Sequence, residues 1–162
     1  MIESPALKEN QNIIKDLRRI STLEPFDDTD LSTLLEFCRI RKYKSGERII
    51  AEGDYDGNVY VLIYGQIRVE KSGKVLTTLD KRGEIFGEMS FLGEFSRTAS
   101  IFANDDVACL AIDNAQMDHM NDKQTSSVYY ILYQVFTKIL AERSKTTSEE
   151  LIELKNKHIK LW

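Results

Sequence analysis

The sequence predicts an α+β fold: an antiparallel β-roll of jelly-roll type, flanked by N-terminal helices and followed by a long C-terminal helix. Three observations carry this. All eight glycines fall between Gly46 and Gly93, where they separate short apolar runs as turns separate strands. Before them, Leu7, Ile13, Ile14, Leu17 and Ile20 recur at helical spacings, the stripe of an amphipathic helix. After them, residues 127–162 contain neither glycine nor proline. Helices segregated to the ends of a run of strands define an α+β architecture. The expected organisation is a helical segment over 1–24, the roll over 25–125 and the long helix over 126–162.

The first helix is predicted over Ala6–Leu23, opened by Pro5 and stopped before Pro25. Asp27, Asp28, Thr29 and Asp30 then offer cap oxygens and negative charge for a second helix over Asp30–Arg39. The basic run from Arg39 to Lys44 reads as the solvated face of a strand entering the Gly46 turn. Ile49-Ile50, Val59–Tyr64, Ile67–Val69 and Val75–Leu79 supply further strands. Gln66, Arg68 and Glu70 alternate with Ile67 and Val69, one wet face and one buried. Ser72-Gly73-Lys74 is a hairpin turn. A strand from Thr98 to Ala103, the Asn104-Asp105-Asp106 turn and a last strand, Val107–Ile112, complete the roll. A short helix over Asn114–Met120 and a polar connection over Asn121–Ser127 lead to the long helix, which would extend roughly 50 Å if unbroken.

At 162 residues the chain suits one ordinary domain. Its net charge of −4 and lack of a strongly basic block leave no footprint for DNA. Cys38 and Cys109 sit in apolar patterns as buried free thiols do. Neither a signal-peptide pattern nor an apolar span of membrane length is present, so a soluble, cytoplasmic protein without a membrane span is expected.

The chemistry concentrates in Phe86–Ile101. Gly87 allows a sharp turn and close backbone approach to a ligand. The residues after it, Glu88–Gly93, would start a helix whose free N–H groups attract an anion. Arg97, nine residues beyond Glu88, brings a guanidinium to the same anion. Glu88 must either pair with Arg97 or accept hydrogen bonds from ligand hydroxyls, because a carboxylate repels a phosphate. An anion together with sugar hydroxyls points to a nucleotide.

This stretch resembles the phosphate-binding cassette of the cyclic-nucleotide-binding domain family, which includes catabolite activator protein and the regulatory subunit of protein kinase A. The family pattern is Phe-Gly-Glu, two small or apolar residues, a variable loop, then Arg, a small residue and Ala. The resemblance extends to Lys44-Ser45-Gly46-Glu47, Glu52-Gly53-Asp54 and Tyr64-Gly65-Gln66-Ile67, and covers roughly residues 25 to 148. It implies a cassette over 86–101, with Phe86, Gly87, Glu88, Met89, Ser90, Arg97, Thr98 and Ala99 around the ligand. Arg97 would pair with the cyclic phosphate, backbone N–H groups of Ser90 and Thr98 would complete the cradle, and Glu88 would accept from the ribose 2′-hydroxyl. Ala99 would leave room for the ligand. The resemblance also implies that Thr147 and Ser148 on the long helix meet the base. Thr98 does not by itself choose between cyclic AMP and cyclic GMP; cyclic AMP is taken as the ligand, with cyclic GMP as the alternative.

Leu140, Ser144, Thr147, Leu151, Leu154, His158 and Leu161 alternate spacings of four and three, a heptad seam that predicts a parallel homodimer. Two alternatives differ in class. A module of the same fold used for dimerisation or partner docking would leave the cassette empty. A cupin-type enzyme would need about three clustered His or Glu metal ligands, whereas His119 and His158 both lie outside the predicted strands. Neither catalytic residues, a metal site nor a cofactor is expected. A regulator acting on a downstream protein partner is expected.

Overall fold

The computed structural model describes residues 1–4, 14–15, 17–93, 96–117 and 123–159. Two antiparallel sheets form the roll. One has the order β1-β2-β9-β4-β7 and the other β3-β8-β5-β6. The strands are β1 (Ile2–Glu3), β2 (Cys38–Tyr43), β3 (Arg48–Ile50), β4 (Val59–Tyr64), β5 (Ile67–Lys71), β6 (Lys74–Leu79), β7 (Ile85–Phe86), β8 (Ser100–Ala103) and β9 (Val107–Ile112). The helices are α1 (Asp28–Glu36), α2 (Glu88–Phe91), α3 (Asn114–Met117) and α4 (Lys123–Ile159).

β4 and β9 are the spine of the larger sheet, paired antiparallel from Val59↔Ile112 onward. Their near-continuous apolar sequence follows from burial on both faces, with side chains alternating between two cores. Tyr60, Leu62, Cys109 and Ala111 point into the roll, where they meet Ile50, Ile67, Ile101 and Ala103 of the other sheet. Val59, Val61, Leu110 and Ile112 point outward and are covered by Leu31, Leu34 and Leu35 of α1 and by Val128, Leu132, Val135 and Phe136 of α4. The two thiols belong one to each core. Burial pushes the Cys109 thiol up to about 12 and holds Cys38 above its usual range as well, so neither is a ready nucleophile.

Several boundaries differ from the sequence reading. Ile14, Lys15 and Leu17 are helical, but Ser21–Leu23 form a separate 3-10 turn, so the first helix does not run to Leu23; Leu7 and Ile13 lie outside the described residues. α1 begins at Asp28 because Asp27 caps it: its Oδ1 accepts from the Asp30 N–H at 2.8 Å, and the Asp30 side chain accepts from the Asp27 N–H. This reciprocal box stabilises the end by about 1 kcal/mol. The helix stops at Glu36, because Cys38 pairs with Ile112 and Arg39 with Ala111 as strand residues. The basic run is not wholly solvated. Arg41 turns inward, donating to Glu3 Oε2 at 2.5 Å and to the Tyr60 hydroxyl at 3.0 Å. β8 starts at Ser100, with Thr98 and Ala99 in the preceding turn. α4 already includes Lys123, so most of the expected connection is helix; Asn121, and Met120 of the short helix, lie outside the described residues.

α4 has two halves. Its 37 residues extend about 55 Å. The first half packs on α1 and the roll, whereas from Ala141 to His158 every residue is exposed. Among the described residues no helix is long and apolar enough to cross a membrane.

Candidate functional site

The site forms where β7 leaves the larger sheet. β7 is short but firmly placed, since Ile85 pairs with Val61 and Phe86 with Tyr60. The Phe86 ring also stacks on Tyr60, with centroids 5.1 Å apart. Burial holds the Tyr60 phenol above its usual range, so its hydroxyl stays neutral and accepts from Arg41. Gly87 then adopts φ 81°, ψ 6° and caps α2, a left-handed conformation natural to glycine. Space confirms the need: a Cβ there would stand 2.7 Å from Arg97 Nη1 and 3.0 Å from the Asn58 carbonyl oxygen. The turn therefore brings the backbone against Arg97 as closely as a chain without a side chain permits.

Arg97 and Glu88 are the buried charged residues among those described, at 3% and 2% exposure. They do not pair with each other. Arg97 donates from Nε to Asp56 Oδ2 at 3.1 Å and from Nη2 to Asp56 Oδ1. Its Nη2 also reaches the Asn58 carbonyl at 2.7 Å, and its Nη1 the Gly87 carbonyl at 2.8 Å. A guanidinium has five N–H donors, so among the described residues one Nη1–H is left for a ligand. The backbone is clasped too: Arg97 N–H donates to Asp54 and the Arg97 carbonyl accepts from Gly53. Glu88 instead takes Arg143 of α4, whose Nη1 donates to Glu88 Oε1 at 2.6 Å while Nη2 donates to the Ile85 carbonyl. Phe91, three residues after Glu88, lies under α4 against Tyr129, Tyr133 and Phe136.

Most residues singled out from the sequence converge here. Phe86, Gly87 and Glu88 are consecutive, Arg97 meets their turn at the Gly87 carbonyl, and Thr98 Oγ1 lies 4.0 Å from the sulfur of the exposed Met89. Ser90 and Ala99 are partly buried beside them. Thr147 and Ser148 stand on the exposed part of α4, with the Ser148 hydroxyl donating to the Ser144 carbonyl. Thr147 is one turn beyond Arg143 on the same side of the helix. Three residues escaped the sequence reading: Asp56, Asn58 and Arg143. Asp56 and Asn58 sit in an ordinary-looking acidic turn, while Arg143 is the only arginine after Arg97, the one available signal. Among the described residues no group of three or more His, Cys, Asp or Glu side chains is placed to hold a metal; His119 lies outside them.

A buried arginine thus stands against a glycine-capped helical turn whose first residue is a buried carboxylate. The chain belongs to the cyclic nucleotide-binding domain family, whose model matches residues 40–124. Human cGMP-dependent protein kinase 2 is 33% identical over 104 residues, covering 60% of this chain and 14% of the kinase. The cAMP-dependent protein kinase regulatory subunit of Eremothecium gossypii is 30% identical over 92 residues, covering 57% of this chain and 19% of the subunit. The chain thus spans less than a fifth of either relative. The structure of Thermus thermophilus Catabolite Activator Protein superposes with a TM-score of 0.65 at 25% identity, covering 83% of this chain and 62% of that one. A cyclic nucleotide-binding domain from Methylobacillus flagellatus reaches 0.70 at 16% identity over 86% and 84%, a likeness of fold alone.

Proposed function

We propose that this chain is a non-enzymatic sensor that binds cyclic AMP, or cyclic GMP, in the cassette and reports occupancy through α4. The observation that carries the reading is Arg97, a buried cation held against the Gly87 turn. A cyclic phosphate pairs with that guanidinium, joined by the backbone N–H groups of Ser90 and Thr98. The ribose 2′-hydroxyl then donates to Glu88, the carboxylate that Arg143 holds.

That shared carboxylate couples ligand to helix. Whatever the ribose does to Glu88 is felt by Arg143 and so by α4, and Thr147 and Ser148 bring the helix to the base as a lid. A ligand biases such an equilibrium only through its difference in affinity for the two helix positions. The outer half of α4 presents Leu140, Ser144, Thr147, Leu151, Leu154 and His158 at heptad spacing, with Leu151 51% and Leu154 59% exposed; Leu161 lies outside the described residues. A second copy in parallel covers this seam, and the paired helices pass the signal to a protein partner.

Calorimetric titration with cyclic AMP and cyclic GMP tests the ligand and names the base. Micromolar or tighter binding of one nucleotide is expected, and no binding of either at millimolar concentration would sink the proposal. Ending the chain after Lys145 tests the helix, because it keeps Arg143 and removes Thr147, Ser148 and most of the seam. The shortened chain is expected to sediment as a monomer and to bind roughly three- to ten-fold more weakly, the loss of about 1 kcal/mol of contacts. Unchanged affinity would rule out the lid, and an unchanged dimer would place the interface elsewhere.

A further inference from the structure

We propose that Asp56 is an internal stand-in for the ligand's phosphate, a carboxylate that compensates Arg97 while the pocket is empty and gives way when a cyclic nucleotide arrives. The inference rests on the cassette being a cyclic-nucleotide site.

The geometry separates holding the guanidinium from neutralising it. The carbonyls of Gly87 and Asn58 hold the guanidinium from Nη1 and Nη2, at 2.8 and 2.7 Å. They are neutral, so they fix its place without cancelling its charge. Asp56 bonds Nε and Nη2 from the remaining side and supplies the charge. No other carboxylate among the described residues reaches Arg97, since Glu88 is held by Arg143. The pair is also asymmetric in burial: the Arg97 side chain is 3% exposed and that of Asp56 39%. A buried cation cannot leave, whereas a carboxylate already in contact with water turns outward at small cost.

Asp56 therefore competes with the incoming phosphate for a single guanidinium. Affinity measured on the whole protein is the intrinsic affinity reduced by the fraction of molecules whose Arg97 is released. The arrangement also raises selectivity. A simple anion gains only Arg97 and must displace Asp56 to do so, while a cyclic nucleotide adds Glu88 and the backbone groups of the cassette.

Asp56→Asn is the informative change. It removes the charge and keeps an Oδ1 acceptor for the Asn58 N–H, which now bonds at 3.2 Å. The full chain and this variant are titrated with cyclic AMP and cyclic GMP, with and without excess inorganic phosphate, after thermal melts of both. The variant is expected to bind the nucleotide roughly three- to ten-fold more tightly and to lose more of that binding to inorganic phosphate than the unsubstituted chain does. Should it not melt cooperatively, Asp56→Ser is read the same way. Equal or weaker nucleotide binding by the variant overturns the stand-in while leaving the ligand assignment intact. An unsubstituted chain that binds neither nucleotide overturns both.

Discussion

Replacing Arg97 with alanine is expected to weaken cyclic-nucleotide binding by about one to two decades, the value of a charge-assisted hydrogen bond of roughly 1.5–3 kcal/mol. The same change costs stability. Arg97 is the donor to the Gly87 and Asn58 carbonyls and the partner of Asp56. Its loss leaves two part-buried acceptors unmet, while Asp56 keeps its contact with water. About 1–3 kcal/mol of unfolding free energy should go with it, a fall of several degrees in the melting midpoint. Arg97→Lys separates charge from shape. An ammonium restores the cation but cannot place N–H groups on Asp56, Asn58 and Gly87 at once, so it is expected to recover only part of both losses. The measurement is calorimetry with cyclic AMP and cyclic GMP beside a melt of each variant. A folded Arg97→Ala protein that binds within two-fold of the original would remove Arg97 from the site.

Much of this candidate site is legible because its residues are close in sequence. Phe86, Gly87 and Glu88 are consecutive and Arg97 follows across one loop, so turn chemistry and charge are read from a single stretch. The partners that complete it come from elsewhere. Asp56 is 41 residues from Arg97, and Arg143 is 55 from Glu88. An acidic turn or a lone arginine on a helix looks the same whether it faces water or a buried ion, which is why the sequence offers Glu88 the nearby Arg97 and not Arg143.

Strand limits divide in the same way. β4 and β9 stood out as apolar runs because both of their faces are buried. β1 and β7, two residues each, are held by pairing with β2 and β4, and no pattern of two residues announces a strand. The sequence extends the second helix to Arg39 because apolar residues continue through Phe37 and Cys38 without glycine or proline. Only the pairing of Cys38 with Ile112 shows that the chain has changed partners there.

The largest combined effect is expected from Gly87→Ala, a single methyl group. At φ 81° an L-residue is strained by about 1–2 kcal/mol. The added carbon would also lie 2.7 Å from Arg97 Nη1, 3.0 Å from the Asn58 oxygen and 3.3 Å from Ile50 Cδ1. Arg97 cannot swing aside, because Asp56 and two carbonyls hold it in a buried place, so the turn itself must shift. Overpacking of this kind costs a further 1–3 kcal/mol or so, and the total lowers the melting midpoint by roughly 5–15 °C. Binding should fall by at least as much as in Arg97→Ala, since the shift displaces the Gly87 turn, Glu88 and the guanidinium together. Gly73→Ala is the control. Gly73 has a comparable φ of 76° with nothing within 4 Å of an added Cβ, so it carries the strain of the left-handed conformation without the collision. The difference between the two melts isolates the contact with Arg97. Equal losses would mean that Gly87 is there for its conformation alone, and full nucleotide affinity in Gly87→Ala would mean that the ligand does not approach this turn.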